Sequence, residues 1–127
     1  MRFLSILPFL GLSCFLPSCN KGGDAPELLF HHPIDDFGEI GLKEKGSHTF
    51  NFENVGCKPL VVNKVVSSCG CTTARFTTDT VSPGEQGEIE VLFYPGETGR
   101  FQKILLVCSN ARRHPKYVLK IRGTVIE

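Results

Sequence analysis

Apolar and polar residues alternate along most of the chain after residue 27. In the run 48–53, Phe50 and Phe52 fall on one side and polar residues on the other. In the run 88–93, Ile89, Val91 and Phe93 share a face opposite Glu88 and Glu90. The run 117–122 repeats the pattern, with Tyr117, Leu119 and Ile121 inward. A period of two marks a strand with one buried face. Residues 59–66 are rich in β-branched side chains, which suit a pleated surface. Residues 101–108 are apolar on both faces, which predicts a central strand. Shorter strands are predicted near 28–31 and 37–40. No window after residue 27 holds a helical apolar stripe for three turns. Turn signals separate the runs: Asn54-Val55-Gly56, Ser82-Pro83-Gly84-Glu85, residues 95–99 and residues 109–115. About seven strands in about 100 residues predict one small all-β antiparallel sandwich over 28–127, because a single sheet could not bury these faces.

The first residues follow another pattern. Arg2 precedes an apolar run from 3 to 16, and Leu16-Pro17-Ser18-Cys19 follows. The run is shorter than the about 20 residues a membrane-spanning helix needs, and it fits a secretory signal. An aliphatic residue three before a Cys, with a small residue just before it, resembles a bacterial lipoprotein signal. Residues 1–18 are then the signal and Cys19 takes the lipid. Pro17 departs from the usual pattern, and Cys14 is a second candidate with a shorter apolar run. The plainer alternative is an ordinary secretory signal cut nearby. Residues 19–27 are mostly small and polar and read as a flexible tether. Asn20, directly after the Cys, favours the outer membrane. The expected location is therefore the cell envelope, with the chain anchored to a bacterial membrane through its lipid.

Charge narrows the function classes. The 127 residues carry 14 Lys and Arg against 13 Asp and Glu, a net charge of +1. Such a balance argues against nucleic-acid binding by bulk charge.

A series of short motifs then recurs in one order. It runs from Asp36-Phe37-Gly38 through the Phe50–Gly56 stretch, Pro59-Leu60-Val61-Val62 and Ser68-Cys69-Gly70-Cys71-Thr72. It continues with Ser82-Pro83-Gly84-Glu85, Gly99-Arg100-Phe101, Ser109-Asn110 and Gly123-Thr124-Val125. The series resembles the bacterial family known as domain of unknown function 1573, over nearly the whole mature chain, and Cys-Gly-Cys-Thr is its most specific mark. The resemblance implies an immunoglobulin-like sandwich related to major sperm protein and Hydin-type domains, exported and often lipid-anchored. Cys57 and Cys108 are additions to the family pattern.

Six cysteines in an exported chain suggest disulfides. With Cys14 removed and Cys19 lipidated, Cys57, Cys69, Cys71 and Cys108 remain. An extended path from Cys57 to Cys69 covers about 40 Å at about 3.3 Å per residue, against the about 7 Å between Cα atoms that a disulfide tolerates. In an immunoglobulin-like sandwich the strand at 59–66 lies antiparallel to that at 101–108, which brings Cys57 and Cys108 to one end. A bond between them would add roughly 4 kcal/mol by loop entropy. The alternative is two buried or half-buried thiols. Cys69 and Cys71 form a separate pair with three open readings: a structural corner, an exchangeable disulfide, or two thiolates for a soft metal. The metal reading needs further ligands, with His31, His32, His48 and His114 as the candidates.

The usual catalytic motifs are missing: there is no G-x-S-x-G, H-E-x-x-H or phosphate-binding glycine loop. Asp35-Asp36 reads as a solvated corner, and Arg112, Arg113, His114 and Lys116 as a charged tip that keeps an edge soluble. The expected function is non-catalytic: protein–protein interaction or envelope structure by a membrane-anchored lipoprotein with an unidentified envelope protein partner. Ile104, Leu106 and Cys108 share a face opposite Phe101, Leu105 and Val107, so one of those rows is available to a partner. The alternative is a thiol-redox or metal-handling module built on Cys69 and Cys71. No cofactor, nucleic acid or small-molecule substrate is expected.

Overall fold

The computed structural model describes residues 24–127. The signal segment, Cys14 and Cys19 lie outside the described residues. Eight strands follow one another: β1 (Leu28–Phe30), β2 (Ile34–Gly41), β3 (Gly46–Asn54), β4 (Val62–Ser67), β5 (Thr72–Phe76), β6 (Gln86–Phe93), β7 (Gly99–Ser109) and β8 (Lys116–Ile126). Among the described residues there is no helix. The strands form two four-stranded sheets, ordered β1-β3-β6-β5 and β2-β8-β7-β4.

The predicted inward rows are the rows that meet between the sheets. Phe50, Phe52, Ile89, Val91 and Phe93 come from the first sheet, and Leu105, Val107, Leu119 and Ile121 from the second. All are essentially removed from water. Burying each such side chain contributes about 1.5–3 kcal/mol, so these rows supply the main drive for closing the sandwich. Gly87 is part of the fit: a Cβ there would overlap the Phe52 ring. β7, apolar on both faces, is central between β8 and β4 as its composition predicts.

Three features differ from the sequence expectation. The strands number eight, because Thr72–Phe76 pairs with β6 from Thr72↔Phe93 to Phe76↔Ile89. Of its inward residues Thr72, Ala74 and Phe76 only the last is large and apolar, so its alternation is faint. The strand near 59–66 begins later, at Val62, since Leu60 instead pairs with Val81 as an isolated bridge.

The arrangement is also not wholly antiparallel. β2 runs parallel to β8, from Ile34↔Lys120 to Gly41↔Ile126. The link from β1 to β2, His31-His32-Pro33, makes no reversal, so the chain keeps its heading while it crosses between sheets. Pro33 cannot donate a backbone hydrogen bond, but its carbonyl accepts one from the Lys120 N–H at 2.9 Å. A bulge between Asp36 and Glu39 adjusts the register. Gly38 sits in it with φ of 66°, where a side chain would be strained, and its N–H donates to Asp36 Oδ1 at 2.8 Å.

Packing begins ahead of β1. Ala25 and Glu27 are buried, and the Cys57 N–H donates to the Ala25 carbonyl at 2.9 Å. The Arg112 N–H donates to the Pro26 carbonyl at 3.0 Å. Asn54, fully buried, joins this end together. Its Oδ1 accepts from the N–H groups of Gly56 at 2.9 Å and Glu27 at 3.4 Å. Its Nδ2 donates to the carbonyls of Lys58 at 2.8 Å and Val81 at 2.9 Å.

Candidate functional site

Cys69 and Cys71 lie in the crossover that carries the chain from β4 in the second sheet to β5 in the first. They are joined by a disulfide with 5.4 Å between Cα atoms. Serine and backbone groups hold the corner. Ser67 Oγ donates to the Cys69 carbonyl at 2.8 Å, and the Tyr94 N–H donates to the Cys71 carbonyl at 2.8 Å. The Ser68 N–H donates to the Ile104 carbonyl at 3.0 Å, while Ser68 Oγ accepts from the Ile104 N–H at 3.2 Å. Both cysteines are half-buried, and Gly70 between them is exposed with open space around its Cα. Thr72 Oγ1 lies 3.9 Å from the Cys69 sulfur and 3.8 Å from that of Cys71. Cys71 also borders an open cleft of about 540 Å³, with Phe93 and Phe101 behind it and Glu97, Arg100 and Lys103 around it.

Bonded sulfurs offer no thiolates to a metal. Among the described residues, no group of three His, Cys, Asp or Glu side chains is placed to hold a metal ion. His31, His32 and His48 line a separate groove with Asp35, where His48 Nδ1 is 3.3 Å from Asp35 Oδ2. His114 stands edge-on to Tyr117.

The Cys57–Cys108 bond expected from strand order is not formed. The strand order itself is as expected: β4 lies antiparallel to β7, with Lys64↔Cys108 and Val66↔Leu106 paired. The difference is one of direction. Val107 and Ser109 are buried, so Cys108 between them sits on the outer face of the second sheet. Cys57 lies beyond β3, in the turn whose backbone bonds to Ala25.

That outer face also carries several exposed aliphatic side chains. Cross-strand pairing places Val66, Leu106 and Val118 in one row across β4, β7 and β8. Ile104 and Ile34 lie in the next row, on either side of Lys120. Val66 is 45% exposed, Val118 42% and Ile34 48%, so neighbouring side chains do not cover them. Single exposed aliphatics are ordinary, but four exposed ones gathered around a half-buried Leu106 on one sheet face are not. Sequence reading found Ile104, Leu106 and Cys108 on one strand. It missed Val66 and Val118, which only the pairing register brings beside them.

Comparison with known proteins reveals related folds. A search of curated proteins gives no match. Among solved structures, a protein of unknown function from Porphyromonas gingivalis W83 is 17% identical with a TM-score of 0.71, over 82% of this chain and 50% of that one. The ASH/PapD-like domain 7 of human CEP192 is 12% identical with a TM-score of 0.68, over 94% of this chain and 99% of the domain. The VesB protease of Vibrio cholerae is 16% identical with a TM-score of 0.61, over 80% of this chain but 32% of the protease. The chain thus spans half the length of the Porphyromonas protein and about a third of the protease. At these identities the likeness establishes the fold, and the PapD-like match bears out the immunoglobulin-like expectation. A family model described as Protein of unknown function (DUF1573) matches residues 28–125. With the Cys-Gly-Cys-Thr corner and the two-sheet sandwich both present, the chain belongs to that family.

Proposed function

We propose that this chain is a non-catalytic interaction module that holds a partner protein on the outer face of its second sheet. The observation that carries the reading is the row Val66, Leu106 and Val118, exposed at both ends, with Ile104 and Ile34 in the row beside it. A rigid sheet presents such a row without reorganisation, which keeps the entropic cost of docking low. The signal-like N-terminus and Cys19 support a location in the cell envelope with a lipid anchor. Mass spectrometry of the mature chain tests that part: an N-terminal diacylated Cys19 supports it, and an unmodified N-terminus elsewhere removes it.

The docking face is tested in living cells with a photo-crosslinking residue at position 118, and a control at Thr49 on the outer face of the first sheet. The expected result is a discrete protein adduct at 118 that is missing at 49. Equal adducts at both positions, or none at 118, would overturn the reading.

A second reading rests on the disulfide being closed at a half-exposed corner. A partner thiolate would attack one sulfur and release the other as a thiolate, forming a mixed disulfide. Trapping such an adduct with wild type and losing it in Cys69→Ser and Cys71→Ser chains would favour this reading.

A further inference from the structure

The near-neutral charge of the chain hides two oppositely charged faces. On the outer face of the second sheet, Lys116 pairs with Cys108, Cys108 with Lys64, and Lys120 with Ile104, so lysines border the apolar rows. Arg122, beside Gln102, and Arg100, beside Thr124, continue the basic side towards the other end. The carboxylates of that face, Asp36 and Glu39, are confined to the bulge of β2 at that far end, where Asp36 lies 3.5 Å from Arg122. The outer face of the first sheet is the reverse. Glu53, Glu88 and Glu90 occupy it, with Arg75 paired to Glu90.

We infer that the occupant of the second sheet's outer face is an acidic amphipathic protein segment, with apolar side chains flanked by carboxylates. This rests on the docking reading above. Complementary charge follows from the lysine border, since a partner must lay its own rim against it. A second copy docked two-fold about the Val66, Leu106 and Val118 row would set Lys64 and Lys116 either against each other or against the row that holds Lys120. Docking of this face onto the acidic face of another copy would leave Val66, Leu106 and Val118 against glutamates and polar residues. A lipid surface fits less well, because Asp36 and Glu39 close off one end of the basic area. An extended anionic plane would press on those carboxylates, whereas a discrete segment stops short of them.

The test uses two synthetic amphipathic helical peptides with the same leucine face, one flanked by glutamates and its twin by lysines. Each is titrated into the isotopically labelled chain while amide shifts are followed. Phosphatidylglycerol vesicles form a third arm. The expected result is that the glutamate peptide shifts amides around Val66, Leu106 and Val118 and binds roughly tenfold tighter than its twin, through several weak rim pairs. The preference should shrink as salt rises. A folded Lys64→Gln, Lys116→Gln, Lys120→Gln chain should bind both peptides alike. If both peptides shift the face with equal affinity in wild type, the acidic preference falls and the docking reading stands. If neither peptide moves that face, both fall. If the vesicles shift those amides and the glutamate peptide does not, the partner is a membrane and the inference is overturned.

Discussion

Asn54 shows how much one side chain can carry in a small sandwich. Its amide satisfies two backbone donors and two backbone carbonyls in a fully buried position, tying the entry to β1, the turn after β3 and the strand-like residues around Val81. An Asn54→Ala substitution strands those groups in the interior. It should lower the unfolding free energy by about 3 kcal/mol and the melting temperature by roughly 15 °C, read from urea and thermal unfolding curves. Asn54→Asp keeps the acceptors but removes both donations, and should be nearly as damaging. The sequence Asn54-Val55-Gly56 is legible as a turn, but the reach of the amide to Val81 is not, because nothing local encodes it. Gly87 is a second such residue. Gly87→Ala puts a methyl group into the Phe52 ring and should cost about 1–3 kcal/mol. The cost should fall in a Phe52→Leu background, a coupling that a double-mutant cycle measures.

At the scale of elements, legibility follows side-chain contrast. β6 and β8 alternate large apolar with charged residues, so their faces can be read directly. β5 sets Thr72, Ala74 and Phe76 against Thr73 and Arg75, with a threonine opening each face, and it declares itself only when paired with β6. The parallel course of β2 is likewise hidden, since a strand's sequence carries its faces but not its direction. The candidate site divides in the same way. The Cys-Gly-Cys corner is visible as a motif, whereas the docking face is assembled from three strands and needs their register. The corner's disulfide closes a very small ring, so loop entropy assigns it about 1.5 kcal/mol at most. The double Cys69→Ser, Cys71→Ser chain should therefore stay folded and lose no more than that in denaturant titration. A larger loss would mean that the bond organises the crossover beyond its own ring.

At the scale of the whole molecule, a net charge of +1 conceals a separation of sign between the two outer faces. At neutral pH and low salt the chain should be retained by both cation and anion exchangers, and released from each by about 0.1–0.2 M salt, where screening reaches roughly 10 Å. Elution of the chain in the void of both columns would contradict this charge pattern. The placement of β8 has a different consequence, one of timing. β8 lies inside the second sheet, between β2 near the start of the described chain and β7. β2 waits for a partner that lies 86 residues further along the chain, with Ile34 opposite Lys120. As the chain enters the compartment where it folds, β1, β3, β5 and β6 are all present by residue 93 and can pair, but β2 cannot, and the inner face of the first sheet stays uncovered until β7 and β8 arrive. Long-range pairing of this kind is slow and leaves apolar surface open to aggregation until it is complete. The interval of greatest vulnerability is thus set by how quickly residues 99–126 are delivered to that compartment, and a holding chaperone would have most to do just before they appear.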